Sequence, residues 1–409
     1  QLLTSAGAAR WRLCTADPRH PREWTDLLPE DPRAVLRDAV PLGRGPHGRP
    51  AVMALWSRHA TSRLTVHDAA SGEQLDDVEL PSMGSVTALS VADPRTAGLD
   101  DTVWVGWTDF TTPPCVYAYR SGRGRLDLVE AAPGAPAHAP VHARQVAYES
   151  SDGTVVRMFL LTPSERPSEP LPALLTAYGG FGMSTGPVCS AAALAWVGAG
   201  GVWALASVRG GGEEGEEWHR AGRREHKQRA IDDLHAAADY LVREGWTDHE
   251  RLGLLGSSNG GLLVGAALTQ HPESYRAAVC SAPLLDMARF ERMMLGPAWV
   301  GEYGSAGDPE QLGWLLAYSP YHNVRPGTRY PATLLSIFDA DTRVDPAHSR
   351  KMCAALQHAA GAGDRHDGTR PILFRRHPDV GHGKTAASRV ITQAIDEFAF
   401  LAWATGLTP

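Results

Sequence analysis

A breaker-rich stretch, Ala131–Pro140 (AAPGAPAHAP), separates two halves of the chain whose hydrophobic patterns have different periods. Before it, short apolar runs such as Arg10–Ala16, Ala51–Trp56, Ser62–His67, Ser85–Val91, Thr102–Trp107 and Cys115–Tyr119 read as strands. Turn signals at Asp17-Pro18, Ala70–Gly72, Asp93-Pro94, Pro113-Pro114 and Ser121–Gly124 punctuate them. Many short strands of this kind predict an all-β sandwich or propeller blades over 1–130. Pro32–Val40 is expected to form one or two turns of helix. After the stretch, which reads as a linker over 131–140, strands alternate with helices. Strands are predicted at Val155–Leu161, Ala173–Ala177, Val202–Val208, Leu252–Leu255, Ala277–Ser281, Ala332–Phe338 and Ile372–Arg375. Helices are predicted at Ser190–Val197, Arg229–Arg243, Gly260–Gln270, Ala347–Ala359 and Ala386–Thr405. Ile231, Leu234, Ala238 and Leu241 form one apolar stripe of the second helix. This order predicts a doubly wound, mostly parallel sheet over 141–409.

The 409 residues are too many for one ordinary core and suggest two domains. A net charge of −7 with no basic stripe argues against a nucleic-acid partner. No apolar run is long enough to span a membrane, and no leader opens the chain, so no membrane partner is expected. The five cysteines are widely spaced with no CxxC, which fits reduced thiols in a cytoplasmic protein rather than disulfides or a zinc site. No metal or cofactor is implied. The chain starts at Gln1 rather than Met, and an upstream segment is expected to be missing.

The strongest chemical signal is Gly256-Ser257-Ser258-Asn259-Gly260, a G-x-S-x-G pentad between an apolar strand and an apolar helix. In that setting a sharp turn holds the central hydroxyl above the sheet edge. The helix N-terminus supplies backbone N–H groups to developing negative charge. Ser258 is therefore the candidate nucleophile, and Ser257, with the wrong glycine spacing, is the rival. A serine hydroxyl needs a base, and on this fold the chain order is serine, acid, histidine. His382, in the glycine-flanked loop Val380–Gly383, is the candidate base and His377 the runner-up. Asp339, Asp341 and Asp345 all follow the preceding strand, and spacing alone does not choose among them.

The segments AYGGF (177–181), RGGGEEGEEWH (209–219), GSSNGGLL (256–263), LGPAWVGEY (295–303), DADTRVDP (339–346) and VGHGK (380–384) occur in the order of the prolyl oligopeptidase family, which residues 141–409 resemble. Residues 1–128 are similar to later blades of that family's propeller. The resemblance implies an α/β-hydrolase domain beside a β-propeller portion. It implies a serine endopeptidase that cuts short peptides on the carboxyl side of proline, under a propeller that excludes folded proteins. It assigns Ser258 as nucleophile, Asp341 as acid and His382 as base. It gives the oxyanion hole to the Tyr178 hydroxyl and the Asn259 backbone N–H. Arg343 is assigned to hold a substrate carbonyl, Trp299 to stack on the proline, and Phe181, Val344 and Tyr303 to wall the pocket.

A flat indole suits a pyrrolidine ring, and Arg343 can orient a carbonyl by a charge-assisted bond. Two rival readings are a peptidase with basic-residue or acyl-peptide specificity, and a catalytically silent propeller scaffold that binds partners. Trp299 weighs against the first and the intact triad against the second. The acidic loop Glu213–Glu217 departs from relatives at Glu214 and is expected to be a solvated face. About 128 residues build only two to three four-stranded blades. The chain is therefore expected to be the C-terminal part of a longer protein.

Overall fold

The computed structural model describes residues 1–43, 45–91, 102–121, 124–134, 138–361, 369–383 and 386–408. The expected turn at Asp93-Pro94, residues 122–123 of the expected turn at Ser121–Gly124, residues 135–137 of the breaker-rich stretch and Lys384 lie outside the described residues. The chain divides into two compact units. One holds residues 1–137, 184–191 and 212–218, and the other holds 138–183, 192–211 and 219–409.

The first unit contains β1 (Leu2–Thr4), β2 (Arg12–Ala16), β3 (Trp24–Leu28), β4 (Val35–Leu42), β5 (Ala51–Arg58), β6 (Thr61–Asp68), β7 (Gln74–Val78), β8 (Ser85–Val91), β9 (Thr102–Thr108), β10 (Cys115–Arg120) and β11 (Leu126–Glu130). They form antiparallel sheets β1-β2-β3, β4-β5-β6-β7 and β11-β10-β9-β8. Strand β5 shows why the sheets stack. Val52, Ala54 and Trp56 enter a cluster with Leu13, Leu28 and Leu36, while Ala51, Met53 and Leu55 enter another with Val105, Trp107 and Tyr119. Successive side chains point to opposite faces, so a strand buried on both faces reads as a continuous apolar run.

Helical turns expected within Pro32–Val40 are not formed. Val35–Leu42 is strand β4, paired with β5 through Val35↔Ser57 and Leu42↔Ala51. It is an edge strand with a bulge between Leu36 and Asp38, a setting that tolerates Pro41. Strands β3, β7 and β11 were not legible in the sequence. All three are sheet edges with largely exposed or half-buried residues.

The second unit is built from β12 (His142–Glu149), β13 (Val155–Thr162), β14 (Ala173–Ala177), α1 (Ala191–Gly198), β15 (Val202–Ser207), α2 (Glu216–Arg220), α3 (Lys227–Arg243), β16 (Leu252–Ser257), α4 (Asn259–Gln270), β17 (Ala277–Ser281), α5 (Val300–Tyr303), α6 (Pro309–Tyr318), β18 (Ala332–Phe338), α7 (Ala347–Gly361), β19 (Ile372–His377) and α8 (Ala387–Thr405), except that Ala191 and Glu216–Trp218 fall in the first unit. Its eight-stranded sheet runs β12-β13-β15-β14-β16-β17-β18-β19. The strands from β15 to β19 are parallel, and β12 and β13 pair antiparallel at one edge. Leu174, Ala277, Val279 and Leu334 share an apolar cluster with Trp196 of α1 and Phe400 and Leu401 of α8. The alternate positions Leu175, Ala278, Thr333 and Leu335 are wholly buried too, so both sheet faces are covered. The predicted stripe of α3 (Ile231, Leu234, Ala238, Leu241) is buried.

One charged group sits deep in this unit. Arg209, just after β15, donates to both carboxylate oxygens of Asp233, with Nη2 2.6 Å from Oδ1 and Nε 2.9 Å from Oδ2. It also donates to Asp152 (2.5 Å) and Ser150 (3.3 Å). The pairing leaves a buried guanidinium and a fully buried carboxylate mutually neutralised and hydrogen-bonded, as burial of charge requires.

Candidate active site

Ligands of open α/β sheets bind at the carboxyl ends of the strands. Here four chemically notable residues follow such ends: Tyr178 after β14, Ser258 after β16, Asp341 beyond β18 and His382 beyond β19. Ser258 lies at φ 55°, ψ −120°, a conformation an L-residue adopts only under constraint. The pentad glycines supply the constraint. A Cβ on Gly256 would stand 2.3 Å from the Gly260 carbonyl oxygen, and one on Gly260 would stand 2.5 Å from that of Ala177. The turn is clamped by Ser258 N–H donating to Ser281 O at 2.9 Å. Ser257, the rival serine, is the last residue of β16 and pairs with Ser281 in the ladder.

The geometry separates the three aspartates. Asp341 Oδ2 lies 2.6 Å from His382 Nδ1, and its Oδ1 accepts from the backbone N–H groups of Arg343 (2.8 Å) and Val344 (2.9 Å). Both oxygens of a 3% exposed carboxylate are thereby occupied. Asp339 instead pairs with Arg376 at 2.8 Å. Asp345 accepts from Ala347 N–H at the start of α7 (2.8 Å). His377 ends β19 and is bonded to Ser336 Oγ at 3.0 Å. The His382 loop is anchored by Val380, which packs with Ala282 and Phe338 and whose carbonyl accepts from Ala340 N–H.

Ser258 and His382 line one cavity of about 360 Å³ with Tyr178, Phe181, Met183, Leu284, Trp299 and Arg343. Burial raises the Tyr178 phenol above its ordinary value, and the neighbouring Ser258 hydroxyl works against that rise. Asn259 is fully buried. Its side chain donates to Tyr178 O and accepts from the Tyr303 hydroxyl (2.8 Å), so one amide ties the serine turn to both tyrosines. Phe181 meets Trp299 and Tyr303 edge-on, with centroids 6.4 and 5.8 Å apart.

Not every expected wall residue reaches the cavity. Tyr303 and Val344 are buried (0% and 3% exposed) and do not line it; Tyr303 supports Phe181 instead. Met183 and Leu284 line it and were missed. Met183 follows directly on AYGGFG and could have been found by extending that motif, whereas nothing around Leu284 signals a site. Among the described residues no cluster of three or more His, Cys, Asp or Glu could hold a metal ion, and no helix is long and apolar enough to cross a membrane. All five cysteines are free thiols.

The acidic loop is not the solvated face expected of it. Glu214 pairs with Arg10 (3.0 Å) and His59 (2.8 Å), and Glu213 is 3% exposed, accepting from Thr185 N–H (2.7 Å) and Oγ1 (3.0 Å). Their partners come from far along the chain, where no local pattern announces them. Only Glu217 of the loop's four carboxylates is exposed. Burial, outweighing the Thr185 hydrogen bonds and nearby Arg37, lifts Glu213 from 4.5 to about 7. The folded chain keeps that proton where the unfolded chain has lost it. Its contribution to stability is therefore full below pH 4.5 and lost as pH rises through about 7. Glu213→Gln is expected to remove a stability change of about 3 kcal/mol across that window. Urea unfolding at stepped pH reads it as a flattened profile.

Residues 188–408 match the family model described as "Prolyl oligopeptidase family", and residues 1–132 match that of its N-terminal β-propeller domain. The fold is that of an α/β hydrolase accompanied by a β-propeller portion. The chain belongs to the prolyl oligopeptidase family. It is 31% identical to a prolyl endopeptidase of Elizabethkingia miricola over 99% of its own length and 56% of the relative's. It is 32% identical to prolyl oligopeptidase ophP of Omphalotus olearius over 99% and 54%. Among solved structures, a prolyl endopeptidase studied for inter-domain dynamics in catalysis superposes with TM-score 0.90 at 38% identity, covering 99% of this chain and 58% of that one. Prolyl oligopeptidase B from Galerina marginata, bound to a 25-residue macrocyclization substrate, superposes with TM-score 0.88 at 29% identity, over 99% and 55%. The chain thus spans little more than half the length of these relatives.

Proposed function

We propose that this chain carries the catalytic site of a serine endopeptidase that cleaves short peptides on the carboxyl side of proline. The observation that carries the reading is the shared cavity. A serine held at positive φ, an imidazole bonded to a buried carboxylate, and a half-buried tryptophan line one space of about 360 Å³. Ser258 Oγ attacks the peptide carbonyl while His382 Nε2 takes its proton. Asp341 accepts from Nδ1–H, fixes the tautomer and stabilises the imidazolium. His382 then protonates the leaving amine, and water releases the acyl group from Ser258.

Tyr178 Oη and the Asn259 backbone N–H, at the N-terminus of α4, stabilise the oxyanion. The proline ring lies on Trp299, with Phe181 closing the pocket and Tyr303 and Val344 behind its walls. Arg343 holds a carbonyl on the amino-terminal side of the cut. The bond between a catalytic serine and its base commonly tightens only around substrate. The peptidase names of the relatives support this reading, as does the fit of an indole to a ring that lacks an N–H. Five unpaired cysteines favour a reducing, cytoplasmic setting.

The test is cleavage of matched chromogenic peptides ending in proline, arginine or alanine. Release after proline is expected, and release mainly after arginine would overturn the specificity. A narrower prediction concerns the oxyanion. Tyr178→Phe is expected to lower kcat by about 10²–10³, with KM little changed, because the lost donor acts on charge present only in the transition state. Steady-state kinetics read the split.

A further inference from the structure

Beneath the cavity lies a set of charged groups that the proposed reaction does not use. Lys227, the first residue of α3, has no exposed surface. Its Nζ donates to Glu302 Oε1 at 2.9 Å and to the Gly179 carbonyl at 3.1 Å. Glu302, 5% exposed, bonds His219 Nε2 through its other oxygen at 2.8 Å. A lysine here is disfavoured twice, since it is desolvated and stands at the positive end of a helix. Burial lowers the Lys227 ammonium. Burial would raise Glu302, but Lys227 and His219 outweigh it and hold the carboxyl below its ordinary value.

What the three groups join is informative. Gly179 follows Tyr178 and precedes Phe181. Glu302 sits on α5 beside Tyr303, three residues after Trp299. His219 lies under the same turn, where a Cβ on Gly182 would come within 3.4 Å of its ring. The turn has little slack, because a Cβ on Gly179 would meet Val208 at 2.5 Å and one on Gly180 would meet Asn259 at 2.5 Å. The lysine thus bridges the segment carrying Tyr178 and Phe181 to the segment carrying Trp299.

We infer that Lys227, Glu302 and His219 are positioning residues that set the distance between the proline-stacking wall and the oxyanion turn, and so determine selectivity for proline. The inference rests on the peptidase reading above. Removing the brace lets α5 shift relative to the turn, so a ring-bearing substrate loses its fit while a compact one keeps its access to Ser258. Misplacement of about 1 Å by a remote change costs on the order of 10²-fold in rate.

The decisive variant is Lys227→Met with Glu302→Gln in the 409-residue chain, which removes both charges together and leaves neither unpaired. Its reaction with a dipeptidyl-proline diphenyl phosphonate is compared with that of a small alkyl fluorophosphonate, each normalised to labelled Ser258. The proline probe is expected to slow by about tenfold to a hundredfold and the small probe by less than about threefold. His219→Ala, at a partly exposed position, is expected to slow the proline probe alone by about threefold, and serves if the double variant does not fold. An unchanged ratio of the two rates in the folded variants overturns the inference, as does an equal fall with both probes, which marks a general structural role. A wild-type chain that reacts with neither probe overturns the peptidase reading itself, and the brace with it; a wild-type chain that prefers the proline probe separates the two failures.

Discussion

Ser258→Ala is expected to abolish labelling by a fluorophosphonate and to lower hydrolysis of a proline-containing chromogenic peptide by about 10⁶-fold. The size follows from the division of labour at the site. Without the hydroxyl, His382 has no proton to take and no acyl-enzyme forms, so water must attack directly. What remains is binding and the proposed oxyanion donors, Tyr178 Oη and Asn259 N–H. His382→Ala alone is expected to cost a comparable factor, because nucleophile and base act as a unit. The folded state should be unaffected by Ser258→Ala, since the change keeps the Cβ and removes one hydroxyl from the wall of a cavity. Intact-mass detection of the adduct and burst kinetics together read the result. Labelling retained in the variant would place the reactive group elsewhere.

The second large effect concerns stability. Arg209→Met is expected to destabilise the chain by about 3–5 kcal/mol, because it strands the fully buried Asp233 carboxylate without its partner. The cost is that of an uncompensated charge rather than of a lost attraction. Replacing both residues, Arg209→Met with Asp233→Leu, is therefore expected to recover most of it. Asp233 also receives the Arg209 backbone N–H at 2.9 Å, and its carbonyl accepts from the Tyr148 hydroxyl, so some loss will persist. Denaturant midpoints of the single and double variants measure both numbers. A double variant as unstable as the single one would refute the account.

The sequence was most legible where one period dominated. The parallel strands β16 to β19 and helices α3, α4, α7 and α8 were placed within a few residues because each buries a repeating apolar face. It was least legible at sheet edges. β3, β7 and β11 are largely exposed or half-buried, and β4 begins inside Pro32–Val40, where helical turns were expected until the pairing with β5 is seen. The chemistry divides in the same way. The pentad is local, and its glycines are explained by contacts within a few residues and with Ala177.

The choice of Asp341 over Asp339 and Asp345 is not local at all. It depends on which carboxylate faces His382 across two strand ends, and only the resemblance to a family had suggested it. The pairs Lys227–Glu302 and Glu214–Arg10 are invisible to periodicity, since a charged residue in a sequence carries no sign of being buried.

The central claim is convergence of Ser258, His382 and Asp341 on one cavity. A crystal structure of the chain inactivated by the dipeptidyl-proline phosphonate tests it most directly. The account predicts phosphorus bonded to Ser258 Oγ, with one phosphoryl oxygen within about 3.2 Å of both Tyr178 Oη and Asn259 N. It also predicts His382 Nε2 within about 3.2 Å of Ser258 Oγ or of the remaining leaving-side oxygen, and the proline ring on Trp299. An adduct on another residue, or an imidazole of residue 382 that stays out of hydrogen-bonding reach of the adduct, would contradict it.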